Sequence, residues 1–482
     1  MKKLITARSF ALLVALALQP LPGFAQEDSR GPTLKGAIQA PTPGLGLPDL
    51  ERIADENNPT LQQAQANIQA ARGRAKQAGL MPNPVVGYQG EEFAFKFFDK
   101  KSEHFGFFEQ TIPLGGKLAK ARQIYQREAE REEIEETAQR QRIHNTIRAL
   151  YFDALGAQRQ VELQTELSRI AHDAVNTTVE LFNVGQSDKP DNLQAQIEAE
   201  QVDHELQVAR NHLGQTWKLL AVVLGKPDMS TTRLQGSLEE RIPQLDEQTA
   251  LANILQNSPQ IKAAEARIRQ ANAVLVRAKA EPIPDLFVRG ALGYSTEYID
   301  IPSQNESNLK RTGLEANVQV GMSLPIWNRN QGAIATARAD VSYATAEISR
   351  LRLQLQGQFA QAVQDYNNAL DAVKRYQSVV IPRADEAYRL YLQRFKEMGA
   401  SYPQVLISQR TMFQVRRQYI NALVALQQNS IQLEGFLLTG ALNAPQLSAE
   451  SGGFNDFVQH TETAGVRSGT DNALDTAGLV EY

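Results

Sequence analysis

Cysteine is absent from all 482 residues. That excludes disulfides, thiolate metal sites and a lipid anchor on an N-terminal cysteine. Long apolar runs are missing too. Past the N-terminus no stretch approaches the roughly 18 residues a spanning helix needs, and mean hydropathy is −0.37. A helical membrane protein is therefore excluded. Charge of one sign is scarce: the formal net charge is −4, with no basic surplus to suggest a nucleic-acid partner. Catalytic signatures are lacking as well. "LGGK", ending at Lys117, has neither the upstream glycine nor the Ser/Thr of a phosphate-binding loop. "HELQV", starting at His204, is not a zinc-protease motif, and no GxSxG elbow occurs. Neither enzymatic activity nor a cofactor is expected.

The N-terminus reads as a secretory signal over residues 1–25. Lys2, Lys3 and Arg8 form its basic region and Phe10 to Leu18 its short apolar stretch, broken by Pro20 and Pro22. Gly23-Phe24-Ala25 offers small residues for cleavage. Loss of those three positive charges takes the net charge from −4 to −7. Residues 26–46 read as a flexible leader. Residues 441–482, polar and rich in Gly, Ser and Thr, read as a largely disordered tail or an equatorial segment.

Between these ends the chain says one thing twice. "NNPTLQQAQANIQAARGRAKQAGLMPNP", from Asn57, returns as "NSPQIKAAEARIRQANAVLVRAKAEPIP", from Asn257. Each copy has helical spacing, from about Asp49 (a plausible N-cap) to Leu80 and from about Asp246 to Ala280. Each stops before a proline pair. Strands follow. In "LEANVQVGMSLP", Leu314, Ala316, Val318, Val320, Met322 and Leu324 alternate with polar residues or glycine. In "LFVRGALGYSTE", Leu286, Val288, Leu292 and Tyr294 share one face, and Arg289, Ser295 and Glu297 the other. Pro84–Phe98 and Glu103–Pro113 are looser counterparts. Each half thus predicts a hairpin of strands about ten residues long, with loops near Asp99–Ser102 and Ile299–Thr312.

After each hairpin a proline precedes a helical pattern of unusual length. One runs from about Lys117 to Phe182. The other runs from about Asn328 to Glu397, with a kink expected at Pro382. At 1.5 Å per residue each spans roughly 100 Å. Shorter helices follow, near Asp191–Leu224 and Pro403–Leu438, after the turns "NVGQSDKP" and "EMGASYP". In each half the repeat helix and the later short helix together match the long helix in length. Stacking the two end to end along it is the sensible packing. The narrow, Ala-rich apolar stripes suit coiled coils. The organisation is a first repeat at 47–225, a linker at 226–245 that could belt the middle, and a second repeat at 246–440.

Strands with one apolar and one polar face in an exported chain suit a membrane barrel. Four strands cannot close one, and an open sheet edge cannot sit in hydrocarbon. Several copies must share the barrel. Two give eight strands, three give twelve, and cyclic symmetry with room for a pore favours the trimer.

The duplicated block, the junctions "QTIPLGGK" and "MSLPIWN", and the turns "FNVGQSD" and "FKEMGAS" resemble the TolC-like outer-membrane factors over about residues 47–440. "AGLMPNPVVGYQGEEF" and "EQTIPLGGKLAKAR" are most similar to the heavy-metal efflux branch of CzcC type. The resemblance implies an α+β chain. Three copies would make a homotrimer with a 12-stranded β-barrel in outer-membrane lipid, standing on an α-helical periplasmic tunnel. It also implies a periplasmic adaptor and an inner-membrane pump of RND type as partners. Heavy-metal cations are the first expected cargo. Multidrug or other small-molecule efflux and type I secretion stay open, as do, from other classes, a barrel-less periplasmic adaptor and a secreted enzyme.

The resemblance marks the two helix turns as the closed periplasmic tip and adaptor-docking surface: Gly185, Gln186 and Ser187, then Gly399, Ala400 and Ser401. Both glycines are expected at positive φ in helix C-caps. Asp191 falls where family members carry an aspartate that holds the closed state, and is alternatively an N-cap. Gln404 and Ile407 stand where better-studied members carry a ring of aspartates, so that acidic constriction does not transfer. Asp191, Tyr402 and Gln404, with Ser401, are the constriction candidates. Glu91 and Glu92 read chiefly as a solvated strand face. Of the six histidines, His204 and His212 are too far apart on one helix to form a metal site.

Overall fold

In a computed structural model of the chain, the described residues are 44–91, 103–185, 187–239, 245–299, 309–397, 399 and 401–443. The predicted signal, most of the leader and most of the tail lie outside them. The first half begins with α1 (Leu47–Asn57) and α2 (Pro59–Ala78), then β1 (Val85–Glu91) and β2 (Glu103–Ile112). Two long helices complete it, α3 (Lys117–Asn183) and α4 (Lys189–Val223). The second half repeats the order with α5 (Glu247–Asn257), α6 (Pro259–Ala280), β3 (Leu286–Ile299), β4 (Leu309–Met322), α7 (Gln331–Arg375), α8 (Ile381–Lys396) and α9 (Tyr402–Glu434).

The 67 residues of α3 are the spine, about 100 Å long. Small residues let neighbours approach it: Ala121, Ala129, Ala138, Ala154, Ala157 and Ala171 are all buried. The packing partners of α3 are α2 towards the sheet and α4 towards the far end, with α6 and α9 of the second half also against it. Asn58 joins the stacked pair, its side-chain amide donating to the Val223 carbonyl at 2.8 Å. The end-to-end stacking expected from helix lengths is therefore present.

Each repeat helix, expected to be continuous, is broken in the structure. Pro59 and Pro259 occupy the first position of α2 and α6. A proline there costs nothing, since its missing N–H would be unpaired anyway, but it cannot continue a preceding helix. Asn58 turns the chain and caps α2 by accepting from the Thr60 N–H at 2.9 Å. Ser258 holds the equivalent position, fully buried. Asp49 is likewise not an N-cap. Helix α1 starts two residues earlier, and the Asp49 carboxylate reaches back to the Gly46 N–H at 3.1 Å. Asp246 does cap α5.

The bend expected at Pro382 is a π turn, Tyr376–Val380, between α7 and α8. Pro382 has no N–H to offer the carbonyl four residues back, so the ladder shifts to the wider spacing. The Ile381 N–H bonds Tyr376 five residues behind.

One core cluster gathers residues of α1, mid-α3, α5 and the ends of α4 and α9, with α1 against α3 and α5 against α7. Ile143, Ile147, Trp217, Leu220, Leu224, Ile254, Leu423 and Leu426 are buried there. The segment after α4 wraps this level. Leu234 pairs with Leu45 in a short parallel bridge, and its N–H bonds the Gln158 side chain at 2.9 Å. Trp217 Nε1 donates to the Met229 carbonyl at 3.1 Å.

The strands form one antiparallel sheet in the order β1-β2-β3-β4. β3 and β4 each have 14 residues, longer than expected, and Thr312 belongs to β4 rather than to the loop. The expected extension of β1 towards Phe98, with Glu92, lies outside the described residues.

Candidate functional site

The ladder register sorts the sheet into two faces. Tyr294 lies opposite both His104 and Leu314, and Val288 opposite both Gln110 and Val320. Val86 lies opposite Phe108. Even-numbered positions therefore share one face, carrying Val86, Tyr88, Phe108, Leu292, Tyr294, Leu314, Val318, Val320 and Met322. All of these are exposed, Val318 to 78%. Apolar side chains so placed are a lipid-facing pattern. The odd face carries Gln89, Glu91, Glu103, Arg289, Glu315, Asn317 and Gln319. Arg289 lies over the Phe107 ring at 4.3 Å and bonds Gln89. Glu91 pairs directly with Glu103 on this polar face. Within the chain, β1 and β4 are the sheet's edges.

At the opposite end are the two helix turns. The spacing from Phe182 to Pro190 equals that from Phe395 to Pro403, and the helices end and restart in register. Gly185 has φ +76° and donates to the Phe182 carbonyl at 3.0 Å. This is the left-handed position just past a helix end, where only glycine is unstrained. Gly399 is one step later. Its N–H reaches the Arg394 carbonyl, five residues back, at 2.8 Å. That is the outer bond of the same motif, and the site it occupies does not require a left-handed residue. The expectation of equivalent glycines thus holds for Gly185 and not for Gly399. Gln186 and Ala400 lie outside the described residues.

Asp188 and Ser401 hold the N-cap positions of α4 and α9. Asp191, read as a possible N-cap, is three residues inside α4. It receives a long hydrogen bond from Ser187 Oγ at 3.5 Å and suits the positive end of the helix dipole. Gln404 is its counterpart in α9, exposed, with Ile407 exposed one turn on. Tyr402 does not face the surface. It is 6% exposed, packed with Ala195, Leu406 and Phe395, its ring 5.7 Å from that of Phe395. Its hydroxyl is buried, with no hydrogen-bond partner among the described residues. Burial, reinforced by the carboxylates of Glu198 and Asp191, pushes the phenol up to about 12.

One feature here had no signal in the sequence. Arg410 of α9 makes a forked ion pair with Glu198 of α4, with Nε to Oε1 at 3.0 Å. Nothing in the spacing links two residues 212 apart. Further up, Asp203 accepts from Ser168 Oγ at 2.5 Å and contacts His172 at 2.9 Å. The Ser168 bond first, then His172, hold its carboxyl below the usual range. His204 and His212 are exposed on α4. Among the described residues no group of three or more His, Asp or Glu side chains is arranged to hold a metal ion.

The model of the outer membrane efflux protein family matches residues 51–226 and 250–437, one segment in each half. The chain belongs to that family. Its members are outer-membrane channels with a helical tunnel in the periplasm, which fits a sheet with an exposed apolar face on a 100 Å helical bundle. The family is one of transport ducts, not enzymes. The cobalt-zinc-cadmium resistance protein CzcC of Cupriavidus metallidurans is 24% identical over 419 residues, covering 86% of this efflux protein and 92% of that one. The solved structure of CusC matches with a TM-score of 0.67 at 18% identity, covering 86% of this chain and 99% of that one. VceC from Vibrio cholerae matches at 0.64 and 18%, covering 82% and 96%.

Proposed function

We propose that three copies of this efflux protein join their sheets into a 12-stranded barrel and their helices into one periplasmic tunnel. In this reading the trimer is the passive exit duct of a tripartite pump. The observation that carries it is the four-stranded sheet with an apolar outer face and two edges to pair. Unpaired edges in lipid cost several kcal/mol per backbone group, and closure removes them. Exposed apolar residues along α4, among them Leu193, Ile197, Val208 and Leu219, support burial against neighbouring copies. Domain roles follow: residues 47–225 and 246–440 form the two repeats of the duct, and 226–245 its equatorial belt.

The two turns form the periplasmic tip, where a periplasmic adaptor docks around Gly185, Ser187, Gly399 and Ser401, with Gln186 and Ala400 in the same turns. The constriction rests on Asp191 and Gln404, which occupy equivalent positions. Tyr402 supports it from inside the protomer. The cargo is heavy-metal cations delivered by an inner-membrane pump of RND type, a reading supported by likeness to a cobalt-zinc-cadmium resistance protein. The test is two-part. The mature protein should be recovered from outer membranes as a heat-resistant trimer, and a soluble periplasmic monomer would sink the duct. Gene deletion should sensitise cells to Zn, Co, Cd, Cu or Ag salts and not to a drug panel. Drug sensitivity alone would keep the duct and discard the metal cargo.

A further inference from the structure

The two repeat helices match in sequence but not in cover. Aligned by the repeat that starts at Asn57 and again at Asn257, Ala266, Gln270, Ala273 and Arg277 of α6 correspond to Ala66, Ala70, Gly73 and Gln77 of α2. The four α6 residues are all buried. The four α2 residues are all exposed. Steps of three and four make each set one continuous helix face. On α6 that face is covered by α3. Ile124 clusters with Ala273 and Val274, and Arg131 donates to the Gln270 side chain at 3.1 Å.

Duplication indicates what covers the matching face of α2. In the second repeat α7 stands where α3 stands in the first, with "AKAR" at Ala119 returning as "ATAR" at Ala335. In that alignment Ala121 and Ala337, Glu128 and Ala344, and Gln139 and Leu355 are buried alike. The α3 face towards α6 runs from Ile124 through Arg127 to Arg131. Its α7 counterpart runs from Asp340 through Tyr343 to Glu347. Glu347 is bonded by Arg350 of its own helix at 2.7 and 2.6 Å. Tyr343 is 63% exposed, with the Arg267 guanidinium 5.7 Å from its ring.

Two residues are then unexplained within one chain. A glycine inside a helix weakens it relative to alanine, yet a Cβ at Gly73 would meet no atom of the described residues within 4 Å. Tyr343 holds a large ring in water. Each accounts for the other. Arg127 lies between the levels of Gln270 and Ala273, so Tyr343 falls between those of Ala70 and Gly73, where missing side-chain volume leaves a notch.

Resting on the barrel reading above, we infer that Tyr343 of one copy seats in the Ala70–Gly73 notch of a second copy, fixing the height at which neighbouring copies meet. The occupant is a second copy because α2 leads into edge strand β1 and α7 follows edge strand β4. Pairing β4 with the next copy's β1 lays α7 beside that copy's α2, as the β2–β3 pairing lays α3 beside α6.

The test places the photo-crosslinker p-benzoylphenylalanine at position 343 of the full-length protein and illuminates outer membranes. Covalent oligomers should appear on denaturing gels, with the crosslinked peptide inside α2. Separately, Gly73→Leu fills the notch. Leucine favours the helix and meets nothing within its own chain, so helix content should be kept. The monomer-to-trimer ratio in unheated samples should rise about tenfold, the scale of an overpacked contact. Adding Tyr343→Ala should restore the trimer by clearing space. Crosslinks to another element of the second copy, or to lipid alone in an intact trimer, would overturn the contact and leave the barrel standing. So would a Gly73→Leu trimer as stable as the parent, or a loss that Tyr343→Ala does not relieve. A parent protein that is monomeric in the membrane would overturn the barrel reading and this inference with it.

Discussion

Replacing Tyr402 with Phe should stabilise the periplasmic tip. The residue is 6% exposed, and its hydroxyl has no partner among the described residues. Burying an unpaired hydroxyl costs about 1–3 kcal/mol by mutational measures. Phenylalanine keeps the contacts with Ala195, Leu406 and Phe395 and deletes that cost, so a gain of about 1 kcal/mol or more is expected at neutral pH. The effect should grow with pH. The folded phenol titrates at about 12 against 10.0 as the reference value. The stability that Tyr402 contributes through protonation is complete below pH 10 and is lost as pH rises through 12. At pH 11 the loss is about 1.4 kcal/mol, one decade of proton linkage. Tyr419 is shifted in the same way, but it is common to both proteins and cancels in the comparison. Thermal melts at pH 8 and pH 11, with amide exchange of residues 395–410 at pH 8, supply the readout. The variant should melt higher at both values, with the gap wider at pH 11. A variant less stable at pH 8 would show that the hydroxyl has a partner in the assembled protein and that the reasoning is wrong.

Truncating Arg410 to Ala should cost more than truncating Glu198 to Ala. The first strands a buried carboxylate while the second frees a half-exposed guanidinium; tip-specific amide exchange of the two variants measures the asymmetry. Gly185→Ala meets no atom within 4 Å, so its cost is purely the left-handed backbone, about 1 kcal/mol, whereas Gly399→Ala should cost no more than a few tenths. The difference would appear in melts of the two variants, and equal costs would contradict the offset geometry of the two turns. Val318→Arg places a charge on the lipid face and should lose about 2–4 kcal/mol, visible as loss of the heat-resistant oligomer. Asn317→Arg, one residue away on the opposite face, should be tolerated.

The long helices and the sheet were readable because each rests on a repeating pattern. Alternation of period two marked β3 and β4, and unbroken helical spacing marked α3 to within a residue at each end. What failed was local. Spacing alone carried the repeat helices through Pro59 and Pro259, though a proline after Asn or Ser is as good a start as it is a poor interior. Residue type makes Asp49 a plausible N-cap and Asp191 an N-cap as one of two alternatives, and both sit at the third position of their helices. An acidic residue is favoured by the dipole throughout the first turn, so residue type cannot say which of those positions it holds. The Tyr402 environment and the Glu198–Arg410 pair were illegible for another reason. They depend on how α4 and α9 meet across the bundle, and a single sequence carries no mark of that meeting.

The two turns show what duplication has kept and what it has released. Phenylalanine-to-proline spacing is identical in both, as are the polar N-cap and the proline at the second helical position. These fix where each helix pair reverses, so any divergence there would leave one tip longer than the other and spoil a level ring. The residue one step past the proline is under no such constraint, since a side chain in the first turn does not set the backbone. There the copies differ in charge, Asp191 against Gln404. If six such positions ring the closed end of a trimer, three carry a carboxylate and three an amide. The acidic charge is then half of what a fully acidic ring would hold. A cation leaving such a duct meets weak attraction instead of a trap, which is what conduction requires of any site that must also release its ion.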